Sequence, residues 1–260
     1  RGGLEALRLH GLRIEGIPMR EGGMDVDLFA QALKRRPAAL YCQTGIHNPT
    51  GQTMGRAARA RLAGLINQHG LPVIEDVCSY ELTLDGPPAR TLAGLVDPGL
   101  IITVGTLSKL FWGGLRVGWA RADEARVRAL VERRKVIDLA GSVVDQLMAA
   151  RLLARAGEAR AERRQMLRRH LASTEAVIAE VFGHWTWAPV KGGTGLWVDT
   201  GTDAQAMSEA AKRVGVKLAA GPSASAHDAQ RTMIRLPLWH EPGELRDGLQ
   251  LVREALSQRR

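Results

Sequence analysis

The sequence predicts an α/β fold in which a mainly parallel β-sheet is followed by a smaller α+β unit. Three observations support this prediction. Four short apolar runs are continuous rather than alternating, as strands covered on both faces tend to be. A helical pattern separates the first two runs, which favours parallel strands joined by helices. The last part of the chain combines a long amphipathic helical pattern with further short strands.

The first sheet is expected from the four apolar runs. A helix over 56–70 (RAARARLAGLINQHG) is expected to end at Gly70, a plausible C-cap. The runs are AALYCQ (38–43), LPVIE (72–75 with Leu71 before it), LIITV (100–104) and LRVGWA (115–120).

The second unit follows a stretch that is helical from about Asp123. Residues 159–182 have an amphipathic helical pattern. We predict a division into 1–155, the sheet domain with its interdomain helix, and 156–260, a small α+β domain. Its strands are expected at 192–200, 214–220 and 232–238, and its other helices near 203–213 and 242–256.

Composition narrows the class of protein. The chain has 260 residues, 45% of them hydrophobic, and no apolar run has the roughly 20 residues of a membrane helix. Two cysteines provide neither a disulfide framework nor a metal-ligand cluster. We therefore expect a cytoplasmic protein without a membrane or metal partner. The first residues lack a starting Met and resemble mid-domain sequence, so we expect a fragment.

The net charge of +9 raises the possibility of nucleic-acid binding. The basic residues are mostly arginines spread along helices, with acidic residues between some of them. This pattern favours solvated helix faces over a binding groove. The arginines in the long helical pattern are Arg160, Arg163, Arg164, Arg168 and Arg169.

Polar residues follow three successive strands, at the edge of the sheet where open α/β folds bind ligands. An amide, a carboxylate, two hydroxyls and a lysine are expected to meet there. An arginine opens the fourth run and can return to the same edge. These residues are Asn48, Asp76, Thr106, Ser108, Lys109 and Arg116.

Pyridoxal phosphate is the ligand whose chemistry uses all of these groups. A lysine amine can form a Schiff base with an aldehyde, and an aspartate can pair with a pyridinium nitrogen. Hydroxyls and an arginine suit a phosphate, and an asparagine amide can donate to a phenolate oxygen. Each residue also has an ordinary alternative: Asn48 in a turn, Asp76, Thr106 and Ser108 as caps, and Lys109 on a surface loop.

The sequence resembles the fold-type I pyridoxal-phosphate enzymes of the class I/II aminotransferase group. The matching stretches are HNPTG (47–51), VIED (73–76), GTLSK (105–109), GGLRVGW (113–119) and MIRLPL (233–238). SK followed by GGLR, with the arginine seven residues after the lysine, resembles especially the aminotransferase-like domains of MocR-type GntR transcription regulators.

The resemblance implies an aspartate aminotransferase-like fold, here part of the large domain plus the small C-terminal domain. It implies Lys109 as the Schiff-base lysine, Asp76 as the partner of the pyridine nitrogen and Asn48 as a contact of the ring hydroxyl. It places Arg116, Thr106 and Ser108 at the phosphate. Arg235 matches the arginine that receives a substrate carboxylate, with a rim arginine as its alternative. A homodimer is also implied.

Two departures from the family pattern stand out. Many relatives have a tyrosine two or three residues after the aspartate, whereas this chain has Cys78 and Ser79 there, and Tyr80 comes one or two residues late. The family's glycine-rich phosphate-binding helix start and its ring-stacking aromatic belong to a stretch before residue 1. We therefore expect this chain alone not to be a competent catalyst.

Four functions remain open at this point. The first is transamination of an amino acid through a Lys109 Schiff base. The second is a cofactor-binding effector domain of a MocR/GntR-type regulator that contacts DNA only through an upstream domain. A lyase or decarboxylase is a third, which Arg235 disfavours because it would hold the carboxylate. A scaffold without a cofactor is the fourth, and it leaves Lys109 and Asp76 without a role.

Overall fold

A computed structural model describes residues 2–88 and 90–258. In this part of the chain, two four-stranded sheets and a two-stranded ribbon are accompanied by eight α-helices. The strands are β1 (Met19–Arg20), β2 (Gly23–Met24), β3 (Leu40–Cys42), β4 (Val73–Asp76), β5 (Ile101–Thr106), β6 (Gly118–Arg121), β7 (Thr186–Trp187), β8 (Gly195–Asp199), β9 (Ala219–Ala220) and β10 (Met233–Pro237). The helices are α1 (Gly2–Leu9), α2 (Val26–Leu33), α3 (Arg56–His69), α4 (Glu124–Ile137), α5 (Val143–Leu153), α6 (Ala156–Val181), α7 (Ala204–Arg213) and α8 (Pro242–Ser257).

The first sheet has the order β3-β4-β5-β6, and its first three strands are parallel. Parallel neighbours need a crossover, which α3 provides between β3 and β4. The helix ends where the sequence predicts: Gly70 has a φ of 59°, and its N–H bonds back to the last turn. Leu62 and Ile66 of α3 are fully buried in the core of this sheet. The α/β prediction is confirmed.

The fourth run differs from the prediction of a strand covered on both faces. It forms β6, which pairs antiparallel with β5 and whose four residues are all exposed. The apolar start of this run does not belong to the strand. Leu115 lies in a 3-10 turn before β6 and is buried there. An antiparallel β6 begins beside the carboxyl end of β5, with Gly118 opposite Thr106.

The second sheet is antiparallel, with the order β7-β8-β10-β9. Helices α6 and α8 pack together over it, and its core includes the fully buried Ile178, Leu196 and Ile234. Leu82 and Leu84, which follow β4, also pack into this core. The long helix and the strands at β8 and β10 lie where the sequence predicts them.

The strand expected over 214–220 is reduced to the two residues of β9. Val214 is the C-cap of α7, and Gly215 has a φ of 79°, so the chain is still leaving the helix there. The backbone N–H of Val216 donates to the carbonyl of Ala211 within that helix end. The apolar residues therefore end a helix and pack beside the core rather than extend a strand.

Several arginines of α6 combine solvent exposure with bonds to a neighbouring segment, and Arg168 and Arg169 are exposed as their spacing predicts. Arg160 binds Glu81, Arg164 donates to the Thr83 carbonyl at 3.1 Å, and Arg168 binds Asp85. These bonds attach α6 to the segment that follows β4. No helix among the described residues is long and apolar enough to cross a membrane.

Candidate functional site

Asp76 is the last residue of β4 and is held by three groups around it. The hydroxyl of Tyr41 and Nε2 of Gln43 donate to its Oδ2, the latter at 3.0 Å, and the backbone N–H of Cys78 donates to Oδ1 at 2.8 Å. Burial raises the pKa of the Asp76 carboxyl, but hydrogen bonds from Cys78, Tyr41 and Gln43 outweigh it and leave that pKa below its ordinary value. Asp76 is therefore a carboxylate at neutral pH.

Asn48 lies in the loop after β3, next to the carboxyl end of the sheet. Its backbone N–H donates to Oε1 of Gln43 at 2.8 Å, so one side chain connects this loop to Asp76. The loop is closed internally: the Gly51 N–H donates to the His47 carbonyl, and the His47 ring shares a hydrogen bond with Thr50 Oγ1, both at 2.8 Å. His47 thus has a role within the loop.

The turn after β5 brings two hydroxyls and a lysine together. Thr106 Oγ1 lies 3.0 Å from Ser108 Oγ and accepts from the Ser108 backbone N–H at 3.1 Å. Lys109 follows directly and is exposed. It makes no hydrogen bond or ion pair with any residue that the structure describes.

Arg116 reaches the same edge because β6 runs antiparallel to β5. Thr106 Oγ1 lies 3.2 Å from the carbonyl oxygen of Val117, the residue after Arg116. Arg116 has a φ of 52°, a left-handed conformation that costs a non-glycine residue roughly 1–2 kcal/mol. Its Nη1 donates to the Gly113 carbonyl at 3.2 Å. The left-handed backbone at Arg116 thus lies next to the turn that carries the two hydroxyls.

Cys78 connects the carboxylate to the lysine. Burial raises the pKa of its thiol to about 12, and Asp76 adds to that increase, whereas the positive charge of Lys109 opposes it. Lys109 is thus close enough to act on the thiol electrostatically. Tyr80, the other candidate for the missing phenol, lies in a 3-10 turn with its ring beside Gly45.

Arg235 lies on β10 of the second sheet and is a cation without an acidic partner among the described residues. Its Nη2 donates to Thr194 Oγ1 at 2.8 Å, but its Nε is buried and has no hydrogen-bond partner in the described chain. Burial lowers the pKa of its guanidinium. A cation that bears the cost of desolvation without a counterion is suited to an anionic ligand.

Thr194 brings Arg235 to the edge of the first sheet. It lines a small pocket with Asn48 and Ser79, and also a larger cleft with Ser108 and Lys109. Thr194 therefore connects Arg235 of the second sheet with the pocket beside Asn48 and the cleft beside Lys109.

This arrangement is accompanied by a family match over most of the chain. Residues 4–243 match the family described as aminotransferase class I and II. The chain belongs to this family.

Two individual proteins are similar to the chain over long stretches. The chain is 32% identical over 205 residues to the 2-aminoadipate transaminase of Thermus thermophilus, covering 76% of this chain and 51% of that protein. It is 30% identical over 202 residues to the uncharacterized HTH-type transcriptional regulator YdfD of Bacillus subtilis, covering 75% of this chain and 41% of that protein.

A solved structure has the same fold at comparable identity. The alpha-aminoadipate aminotransferase LysN of Thermus thermophilus, in complex with N-(5'-phosphopyridoxyl)-L-leucine, superposes with a TM-score of 0.89 at 26% identity. The superposition covers 99% of this chain and 68% of that one. The fold is therefore that of the fold-type I aminotransferases. The chain spans between 41% and 64% of the length of the first curated relatives it matches.

Sequence reasoning missed three residues that organise this site. Gln43 is the last residue of an apolar run, Thr194 lies in a glycine-rich turn, and Tyr41 is part of a strand. Nothing local distinguishes them, because each acts on a residue distant in sequence. The missing tyrosine after Asp76 drew attention to Cys78, whose backbone N–H donates to Asp76 Oδ1.

Proposed function

We propose that this chain is the larger part of a pyridoxal-phosphate-dependent aminotransferase that acts on amino acids. The observation that carries the proposal is the half-buried cation Arg235, whose buried Nε has no partner among the described residues and which Thr194 connects to the cleft that Lys109 lines. A substrate with an α-carboxylate satisfies the arginine and brings its amino group towards the lysine.

The residues fit pyridoxal phosphate at each of its polar groups. Asp76 is held ionised, as a partner of a protonated pyridine nitrogen must be. Thr106, Ser108 and Arg116 offer hydroxyl and guanidinium donors to the phosphate. Asn48 lines the neighbouring pocket and is assigned the ring hydroxyl. Lys109 is assigned the bond to the cofactor carbonyl.

When bound, the cofactor supplies an electron-withdrawing ring that stabilises negative charge at the substrate Cα. The protein residues do the rest. Arg235 holds the substrate carboxylate, Asp76 keeps the pyridine nitrogen charged, and the freed amine of Lys109 moves the proton from Cα. The net exchange would give the substrate a carbonyl oxygen and the cofactor an amino group.

Borohydride reduction tests the cofactor and its attachment. Pyridoxal phosphate added to the full-length parent protein is expected to give a visible absorption band that borohydride removes, leaving a stable adduct on the peptide that contains Lys109. The band is absent in Lys109→Ala and retained in Lys217→Ala, an exposed lysine outside the site. A reducible band in Lys109→Ala would overturn the assignment.

A regulator is the second candidate, favoured by the similarity to two HTH-type transcriptional regulators of Bacillus subtilis at 30% and 29% identity. In that case this domain binds the cofactor as an effector, and an upstream domain contacts DNA. Adding amino acids to the loaded parent distinguishes the two. Conversion to pyridoxamine phosphate identifies an enzyme, and a bound amine without conversion identifies a sensor.

The remaining assignments rest on the family resemblance. We propose a cytoplasmic homodimer with domains 1–155 and 156–260, and an amino acid and keto acid as its small-molecule partners. Sedimentation of the parent protein tests the dimer, and a mass of one subunit would contradict it.

A further inference from the structure

A cleft of about 290 Å³ opens between the two sheets beside Lys109. One wall is the segment after β5, the second is α6, and the third is the segment after β10. Its volume lies at the lower end of the range for small-molecule sites, about 300–1,000 Å³. The lining residues used below are Lys109, Phe111, Trp112, Arg163, Thr194 and Trp239.

The walls of this cleft are mainly aromatic and aliphatic. Phe111 and Trp112 come from the first wall, Met166 and Leu167 from α6, and Leu238 with Trp239 from the third. Trp112 and Trp239 are 65% and 55% exposed, so their rings are available to a ligand. No acidic residue lines the cleft in the described part of the chain.

The polar end of the cleft is cationic. Thr194, at its edge, accepts a hydrogen bond from Arg235, whose guanidinium lies 5.9 Å from the centre of the Trp239 ring. A carboxylate on Arg235 therefore has an aromatic ring next to it and the open cleft beyond. A ligand with a carboxylate at one end and an apolar group at the other fits this sequence of surfaces.

Arg163 decides between an apolar side chain and a second carboxylate. It is the guanidinium that lines the cleft, and four of its five N–H groups already have partners. Its Nε and Nη2 donate to the Leu110 carbonyl at 3.2 and 3.1 Å, and Nη2 also donates to the Phe111 carbonyl at 2.9 Å. Its Nη1 lies 3.4 Å from Met166 Sδ. A distal carboxylate that pairs with two N–H groups at once would have to break at least one of these bonds, whereas an apolar group leaves them intact.

We infer that this cleft receives the side chain of the substrate and selects amino acids with a large apolar, above all aromatic, side chain. This inference rests on the proposed aminotransferase function, because it takes Arg235 as the carboxylate anchor. It narrows the substrate from amino acids in general to one chemical class.

Binding of two carboxylate probes to the full chain without cofactor tests the inference by calorimetry. The probes are 3-phenylpropionate, which has one carboxylate and a phenyl ring, and glutarate, which has two carboxylates. We expect 3-phenylpropionate to bind about tenfold more tightly or better, because the cleft buries its ring. Equal or tighter binding of glutarate overturns the inference, and this comparison needs no variant.

Variants locate the site. Trp112→Ala and Trp239→Ala are expected to weaken 3-phenylpropionate binding about tenfold each, whereas Trp119→Ala, an exposed tryptophan on β6, leaves it unchanged. The inference is also overturned if Trp112→Ala and Trp239→Ala both bind 3-phenylpropionate with unchanged affinity and have the circular dichroism of the unmutated chain. The binding experiment contains no cofactor, so it is independent of the borohydride test. If the probes bind with the expected selectivity but borohydride finds no adduct on Lys109, the proposed function is overturned and the inference about the cleft is not.

Discussion

Asn48 and Asp76 are joined through a single side chain, that of Gln43. The carboxamide oxygen of Gln43 accepts from the Asn48 backbone N–H at 2.8 Å, and its Nε2 donates to Asp76 Oδ2 at 3.0 Å. The Asn48 backbone and the Asp76 carboxylate, assigned to the ring hydroxyl and the pyridine nitrogen, are therefore linked before any ligand binds. Positioning of this kind lowers the entropy that binding must overcome.

Replacing Gln43 with alanine tests this connection. We expect Gln43→Ala to lower the free energy of unfolding by about 1–2 kcal/mol, because a backbone N–H and a carboxylate oxygen lose partners. The affinity for pyridoxal phosphate should fall as well. Urea unfolding and a spectral titration measure the two effects. Gln31→Ala, an exposed glutamine on α2, is the matched control, and a variant like the parent in both measurements would contradict the positioning role.

Arg235 is expected to cost stability in the absence of a ligand. Its buried Nε has no partner in the described chain, so Arg235→Met should raise the free energy of unfolding by about 1 kcal/mol while abolishing binding of both carboxylate probes. Urea unfolding without ligand gives the first effect. Arg231→Met, an exposed arginine nearby, should change neither quantity. A less stable Arg235→Met protein would show that the guanidinium stabilises the fold.

Gly195 gives the guanidinium of Arg235 its space. A Cβ at this position would lie 2.7 Å from Arg235 Cζ, so Gly195→Ala must displace the guanidinium. Because a flexible side chain gives way, we expect a stability change below about 1 kcal/mol, but 3-phenylpropionate binding weakened about tenfold. Gly248→Ala on α8, where a Cβ meets open space, is the control and should stabilise the helix. Full binding by Gly195→Ala would refute the anchor geometry.

His47 makes stability depend on pH. Burial lowers the pKa of its imidazole from 6.5 to about 4, so the unfolded chain binds a proton in this interval that the folded chain does not. The free energy of unfolding therefore falls as pH decreases from about 6.5 to 4, by at most about 3 kcal/mol from this residue.

The measurement is urea unfolding across that pH range in the parent and in His47→Asn, whose amide can still face Thr50. The part of the pH dependence of the unfolding free energy that comes from His47 should disappear in His47→Asn. His10 is exposed, so His10→Asn should keep that dependence. An unchanged slope in His47→Asn would assign the dependence to other groups.

The sequence by itself determined the elements that local patterns describe. The apolar runs predicted β3, β4 and β5, and Gly70 predicted the end of α3, because short continuous apolar runs and a left-handed C-cap are local signatures. The rule that ligands bind beyond the carboxyl ends of parallel strands placed the candidate residues after those strands. The chain order of Asn48, Asp76 and Lys109 after successive strands thus predicted that they lie at one edge of the sheet.

Only the tertiary structure decided which distant groups meet. The hydrogen bond from Arg235 to Thr194 joins residues that are 41 positions apart in the chain. The bond from Arg160 to Glu81 attaches α6 to a segment 79 positions before it. The same applies to residues 214–218, whose apolar composition resembles a strand but which leave α7 instead. The physical reason is common to all three: hydrogen bonds and packing between remote segments depend on the complete fold, and a local pattern of residue types carries no record of them.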